Sequence, residues 1–214
     1  MFEFAGYLPD EDNNARKEII STISGQKVNY VSRFKTTDCL IKFFNRLSEE
    51  NYEENAQQED PSIQKLVKMY RYYVDSLTVL GEGTKLDLSL LQQSAYVLVR
   101  DNEDIFKDQF KHIIVDEYQD TNPIQEILLF QLAKYSQNIC VVGDDDQSLY
   151  RFRGATVENF VDFSERCNHF LSLEPTKINL DTNFRSREEI VNFYKHFIND
   201  ESISWKKEGG QGFY

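Results

Sequence analysis

Hydrophobic positions recur at helical spacing through the first half of the chain and give way to short β-branched runs in the second. Leu40, Phe43, Phe44 and Leu47 fall on one helix face, with Thr36 or Thr37 available as its cap. Ile63, Leu66, Val67, Tyr70, Val74 and Leu77 repeat the pattern after Asp60-Pro61-Ser62. A Gly81-Glu82-Gly83 turn precedes a third helix through Leu90, Leu91, Ala95 and Leu98. From Lys111 the pattern becomes strand, loop, helix. Ile113-Ile114-Val115 and Ile139-Cys140-Val141-Val142 read as strands buried in a parallel sheet. Asn122-Pro123 caps and opens a helix whose buried face holds Ile124, Ile127, Leu128 and Leu132. Thr156 caps a helix with Val157, Phe160 and Val161, and 170–173 reads as another short strand. Ile178-Asn179-Leu180-Asp181 follows the strand-then-loop scheme once more. Ser186 and Glu189 have capping-box spacing ahead of Ile190, Tyr194, Phe197 and Ile198.

Three of these apolar runs deliver chemistry at their ends. The first enters Asp116-Glu117-Tyr118-Gln119-Asp120. The second enters Gly143-Asp144-Asp145-Asp146-Gln147-Ser148-Leu149-Tyr150-Arg151-Phe152-Arg153, and the third enters Thr182-Asn183-Phe184-Arg185-Ser186. In open α/β sheets, ligands sit at the carboxyl ends of strands. Two adjacent acids there suit nucleotide chemistry, one holding Mg²⁺ and the other activating a water. Taken alone, the acid pair is more often a solvated strand end. The two further loops change that balance.

Together the three segments resemble the UvrD/PcrA/Rep group of superfamily 1 DNA helicases, specifically over about residues 70–197. The resemblance implies an α/β fold with a partial RecA-like, P-loop NTPase-type parallel sheet and an N-terminal helical subdomain. It implies a helical accessory subdomain at 1–110, the latter half of a first RecA-like domain at 111–175, and the start of a second at 176–214. It also implies ATP and Mg²⁺ as cofactors and single-stranded DNA as partner, with 3′-to-5′ translocation and unwinding. Residue by residue, Asp116 matches the Mg²⁺ ligand and Glu117 the water-activating base. Gln147 matches the glutamine that senses the terminal phosphate. Arg185 matches an arginine acting across the interdomain cleft, and Phe184 the aromatic stacked on adenine. Tyr150, Phe152 and Arg153 match positions that meet single-stranded DNA, where stacking on aromatic faces tolerates any base. Phenylalanine at 152 departs from the tryptophan usual in the family. Core packing is the alternative for Phe152 and Phe184, a loop-stabilising amide for Gln147 and a surface ion pair for Arg185.

One expected feature is missing. None of the nine glycines is followed by lysine, so the sequence has no Gly-x-x-x-x-Gly-Lys-Ser/Thr loop to cradle phosphates. The chain therefore reads as an internal piece or a shortened homologue of such a helicase, inactive on ATP by itself. A catalytically silent binding module is the competing reading, and a helicase–nuclease fragment a third.

Composition fits a reduced, cytoplasmic setting. Apolar runs of four or five residues are too short to span a bilayer. Cys39, Cys140 and Cys167 are widely spaced and read as buried thiols. The net charge of −12 opposes indiscriminate DNA coating. Part of it is local, since Glu49, Glu50, Glu53, Glu54, Glu59 and Asp60 fall in a stretch without a base, read as a solvated loop. Arg151, Arg153, Arg185 and Arg187 gather instead in the later motifs.

Overall fold

A computed structural model describes residues 13–52, 60–77, 85–144, 147 and 157–199. The chain divides into two compact units, Met1–Pro175 and Thr176–Tyr214. The described part is a mixed helical fold with a small parallel two-stranded sheet, compatible with an α/β class.

The first unit begins with helices α1 (Asn13–Ser24), α2 (Arg33–Glu49), α3 (Pro61–Leu77) and α4 (Leu88–Asp101). Spacing put Leu40, Phe44 and Leu47 inward on α2, and they are buried with Ile19 of α1 and with Leu66 and Tyr70 of α3. The α2 cap is Ser32, whose hydroxyl accepts from the Lys35 N–H at 3.3 Å. Thr36 and Thr37, expected as caps, lie buried within the helix and donate back to the Ser32 and Arg33 carbonyls. Tyr70 packs in the core while Tyr72 points to solvent. Asp87 caps α4 by accepting from the Leu90 N–H and from the Tyr73 hydroxyl, at 2.8 and 2.6 Å. The buried face of α4 holds Ser89, Leu90 and Val99, whereas the expected Leu91 and Leu98 are exposed. A helical stripe fixes periodicity, but the partner helix chooses which edge of the stripe is covered. Here α4 packs on both α2 and α6. Glu49 is not a loop acid: it sits in α2 and accepts from the Ser89 hydroxyl at 2.8 Å.

A one-turn helix α5 (Glu103–Phe106) leads into β1 (Ile113–Val115), a 3-10 turn (Tyr118–Asp120), α6 (Pro123–Ala133) and β2 (Ile139–Val141). The strands are parallel, with Ile113 opposite Ile139 and Val115 opposite Val141. Asn122 makes the capping box that opens α6, exchanging 3.0 Å bonds with Gln125. Its side-chain amide also donates to Gln92 of α4 at 2.8 Å, tying the helical part to the strand part. The buried residues of α6 are Ile124, Glu126, Phe130 and Ala133; Ile127, Leu128 and Leu132 are half-buried.

Helices α7 (Val157–Val161) and α8 (Phe163–Leu171) close the first unit. In place of the strand expected over 170–173, Phe170 and Leu171 end α8 and Ser172 is its left-handed cap, because Phe163 and Phe170 keep helical spacing to stack on Phe130. Ile113, Phe130, Ala133, Cys167 and Leu171 form this second core. Among the described residues, only one sheet face is covered. Ile114 is 75% exposed and Cys140 is also exposed, which corrects the expectation of strands and a cysteine buried on both sides. Cys39 is half-buried and Cys167 buried.

In the second unit, residues 178–181 form no strand among the described residues, with Ile178 and Leu180 in solvent. Helix α9 (Glu188–Asn199) follows, and its first bonds run from Ile190 and Val191 to the Arg187 carbonyl. Its start therefore lies one residue later than the expected Ser186 cap. The Ser186 N–H is taken by the Asn183 side chain. The expected Gly81-Glu82-Gly83 turn and Thr156 cap lie outside the described residues.

Candidate functional site at the strand ends

Asp116 and Glu117 leave the carboxyl end of β1 with their side chains exposed. The chain turns sharply there: Glu117 is left-handed, at φ 52° and ψ 41°, a conformation that costs a non-glycine residue about 1 kcal/mol or more. The Glu117 N–H donates to Asp116 Oδ1 at 3.0 Å. The ladder continues past the strands, since Val142 N–H donates to the Val115 carbonyl at 2.8 Å and Tyr118 N–H to the Val142 carbonyl at 3.0 Å. The acidic loop and the loop after β2 are thus laced together by backbone.

A side chain joins them again. Gln119 is 1% exposed, and its amide donates to Glu117 Oε2 at 2.6 Å while its carbonyl oxygen accepts from the Asp144 N–H at 3.1 Å. Asp144 in turn accepts from Gln147 twice, through its backbone carbonyl from N–H at 3.0 Å and through Oδ2 from Nε2 at 2.6 Å. Glu117, Gln119, Asp144 and Gln147 therefore form one hydrogen-bonded series. Gly143 makes the approach possible, because a Cβ there would meet Gln119 Oε1 at 2.5 Å and the Phe160 ring at 3.0 Å.

Behind this series the site is anchored in polar core. Tyr118 is fully buried, edge-on to Phe163, and donates to Glu126 Oε1 at 2.9 Å. Burial and the neighbouring Glu126 carboxylate push the phenol well above its ordinary range. Glu126 is 0% exposed and is held by Arg166 of α8 through both carboxylate oxygens, with Nε at 2.7 and 2.6 Å and Nη2 closing the fork on Oε2. A buried carboxylate persists only with such pairing.

The structure brings Asp116, Glu117 and Gln147 onto adjoining loops of the first unit. Tyr150, Phe152 and Arg153 lie outside the described residues. Phe184 and Arg185 belong to the second unit. Asn183 shapes their turn by accepting from the Arg185 and Ser186 N–H groups at 2.9 Å and donating to the Tyr194 hydroxyl at 3.1 Å. Phe184 is 94% exposed. Sequence reasoning passed over Gln119, Tyr118, Glu126, Arg166 and Gly143. An available signal was Glu126, an acid on the same helical face as Phe130 and Ala133 by i, i+4, i+7 spacing.

Among the described residues, no three His, Cys, Asp or Glu side chains gather closely enough to cage a metal alone. An exposed Asp116 carboxylate nonetheless fits Mg²⁺, which takes one or two protein carboxylates and completes its shell with water and phosphate oxygens.

Residues 5–168 match the profile of the UvrD/REP helicase N-terminal domain. Similar proteins include "ATP-dependent DNA helicase PcrA" of Staphylococcus epidermidis, 31% identical over 89% of this chain and 26% of the relative. The Schizosaccharomyces pombe "ATP-dependent DNA helicase srs2" is 32% identical over 94% of this chain and 22% of its own length. "ATP-dependent DNA helicase PcrA" of Bacillus subtilis is 40% identical over a shorter stretch, 46% of this chain and 13% of the relative. The chain thus spans about a quarter or less of the length of these relatives. With the profile covering most of its residues, the chain belongs to the UvrD/REP helicase family.

Proposed function

We propose that this chain carries the ATP-handling and DNA-coupling segment of an ATP-dependent DNA helicase that moves 3′ to 5′ on single strands. Its α/β framework is RecA-like, with residues 1–110 as accessory helices, 111–175 in a first RecA-like domain and 176–214 beginning a second. The protein works in the cytoplasm. Asp116 ligates Mg²⁺, which when bound neutralises charge on the nucleotide's terminal phosphates. Glu117 orients a water and takes its proton. Gln147 reads the terminal phosphate, an amide being able to accept from water and donate to phosphate at once. Arg185 stabilises charge on the transferring phosphoryl group, a role worth about 10³–10⁵ in rate where arginine fingers have been measured. Phe184 stacks on adenine, and Tyr150, Phe152 and Arg153 hold DNA.

The observation that supports this reading is the hydrogen-bonded series from Glu117 through Gln119 and Asp144 to Gln147. That series links Glu117 and Gln147 across adjoining loops at the strand ends, and nucleotides bind at strand ends in such sheets. A catalytically silent module that contacts DNA or a protein partner is the second reading, favoured by the absence of any Gly-Lys pair in the sequence.

Phosphate release by the pure chain with oligothymidine is expected to stay at background. DNA-stimulated turnover abolished by Glu117→Gln would overturn that expectation. Fluorescence anisotropy with labelled oligothymidine is expected to show salt-sensitive binding with a shallow slope. Phe152→Ala should weaken it by about 1 kcal/mol or more. Binding that neither Phe152→Ala nor Arg153→Ala alters removes the proposed DNA track. No binding even at low salt leaves the silent protein-contacting module as the better reading.

A further inference from the structure

Gln119 stands out because it is almost fully buried yet spends both ends of its amide on the site. One end holds Glu117 Oε2 at 2.6 Å and the other holds the Asp144 N–H at 3.1 Å. A glutamine needed only to fill space would not require either partner. A glutamine needed only to satisfy the loop would not reach the acid. Its backbone sits in the 3-10 turn, pinned by the Asp120 N–H to the Glu117 carbonyl at 2.9 Å and by the Thr121 N–H to the Tyr118 carbonyl at 3.1 Å. The turn rests on buried Tyr118, itself fixed to Glu126. Gln119 is therefore a short lever on a rigid mount, and its amide plane cannot rotate without releasing one partner.

We propose that Gln119 is a positioning residue that makes the orientation of the Glu117 carboxylate depend on the placement of the Asp144–Gln147 loop. Displacement of that loop withdraws the Asp144 N–H, frees the Gln119 amide to turn, and releases Glu117 from its held rotamer. Movement of Glu117 releases the loop by the same path, since coupling between two sites is reciprocal. The inference rests on the reading of Glu117 as base and Gln147 as sensor for its meaning. Its physical content, coupling of two side chains through a third, stands apart from that reading. Gly143 is the second part of the device: with a Cβ at that position, Gln119 Oε1 could not occupy the place from which it accepts.

The test uses the full chain and no nucleotide, so its outcome is independent of ATP turnover. Hydrogen exchange at the Asp144 amide is followed by NMR in the parent, Glu117→Ala, Gln119→Glu and the double variant. Glu117→Ala introduces no new backbone strain, because alanine and glutamate meet the same left-handed penalty. It removes no group that touches Asp144 N–H in the structure. Exchange at Asp144 is expected to quicken about three- to tenfold, the range for losing support worth one ordinary hydrogen bond. Gln119→Glu keeps an acceptor for the Asp144 N–H but loses the donor to Glu117. In that background two carboxylates face each other, so Glu117→Ala should slow Asp144 exchange or leave it unchanged rather than quicken it. A merely structural Gln119 would leave Asp144 unmoved by Glu117→Ala in the parent, and that result overturns the proposal. So does an undiminished response in the Gln119→Glu background. Should Gln119→Glu fail to fold, Gln119→Met supplies the same comparison by removing both polar ends, with Asp144 exchange then fast and indifferent to Glu117.

Discussion

The two cores of the first unit are built from different materials. Around α2 and α3, Ile19, Leu40, Phe44, Leu47, Leu66 and Tyr70 meet as an apolar cluster, with the Ser48 and Tyr70 hydroxyls 2.8 Å apart at its side. Beside the strands, Ile113, Phe130, Ala133, Cys167 and Leu171 adjoin a buried carboxylate and phenol and the half-buried Arg166 guanidinium. Apolar filling is non-directional and tolerates repacking. A buried polar network holds atoms at fixed directions, and fails when one member is lost. The site lies above the second kind of core, where Tyr118 anchors the turn that carries Glu117 and Gln119. Directional anchoring is the property a site needs and a helical scaffold does not.

The largest expected effect comes from the apolar side. Phe44→Ala should cost about 3–5 kcal/mol in urea unfolding followed by circular dichroism. The Gln119 side-chain amide resonances should nevertheless stay where they are, and a shift in them would break the distinction between the two cores. Arg166→Met comes next, at about 2–4 kcal/mol, less than the roughly 3–5 kcal/mol for breaking a fully buried pair because Arg166 is itself partly exposed. This variant should move the Gln119 resonances. Adding Glu126→Met and Tyr118→Phe should recover most of the loss, since apolar replacement leaves no uncompensated charge. A triple variant no more stable than Arg166→Met would mean the network is not what makes this core sensitive. Gly143→Ala is expected to cost about 1–3 kcal/mol by forcing Gln119 and Phe160 apart. Melting temperatures of Gly143→Ala and Gly143→Ser, with the latter no better, would check it.

These contrasts also explain what was legible in the sequence. The β1 and β2 runs, the Asn122-Pro123 helix start and the inward face of α2 were all readable. Each depends on local alternation, capping or spacing that the chain states directly. Which edge of α4 is covered was not readable, because Leu90 and Leu98 are equally apolar and only packing against α2 and α6 separates them. Phe170 misled for the same reason: a short apolar run has no period of its own, and stacking on Phe130 decided for helix. In the site, Asp116, Glu117 and Gln147 stood out by residue type and order. Gln119 did not, since an amide's importance lies in two partners, one of them 25 residues away.

Smaller effects refine the picture at the margins. Ser48→Ala should cost about 1 kcal/mol by leaving the Tyr70 hydroxyl one partner short. Glu103 lies outside both cores and accepts from Lys134 at 2.7 Å, Tyr135 at 2.6 Å and Gln131 at 2.7 Å. These bonds draw its carboxyl down from the ordinary 4.5 to about 2. A folded value below the unfolded one gives stability that is fully present above about 4.5 and lost as the pH falls toward about 2. Carboxyl carbon shifts followed by NMR should show that midpoint for Glu103. An ordinary midpoint would mean the network is not formed in solution.

The open face of the sheet gives the molecule a built-in chemical address. Burial pushes the Cys39 and Cys167 thiols up, so both are slow to form the thiolate that reacts with alkylating reagents. Cys140 sits exposed in the middle of β2, four positions before Asp144. A maleimide dye should therefore attach there first and report on the loop that follows, with no cysteine engineered in or out.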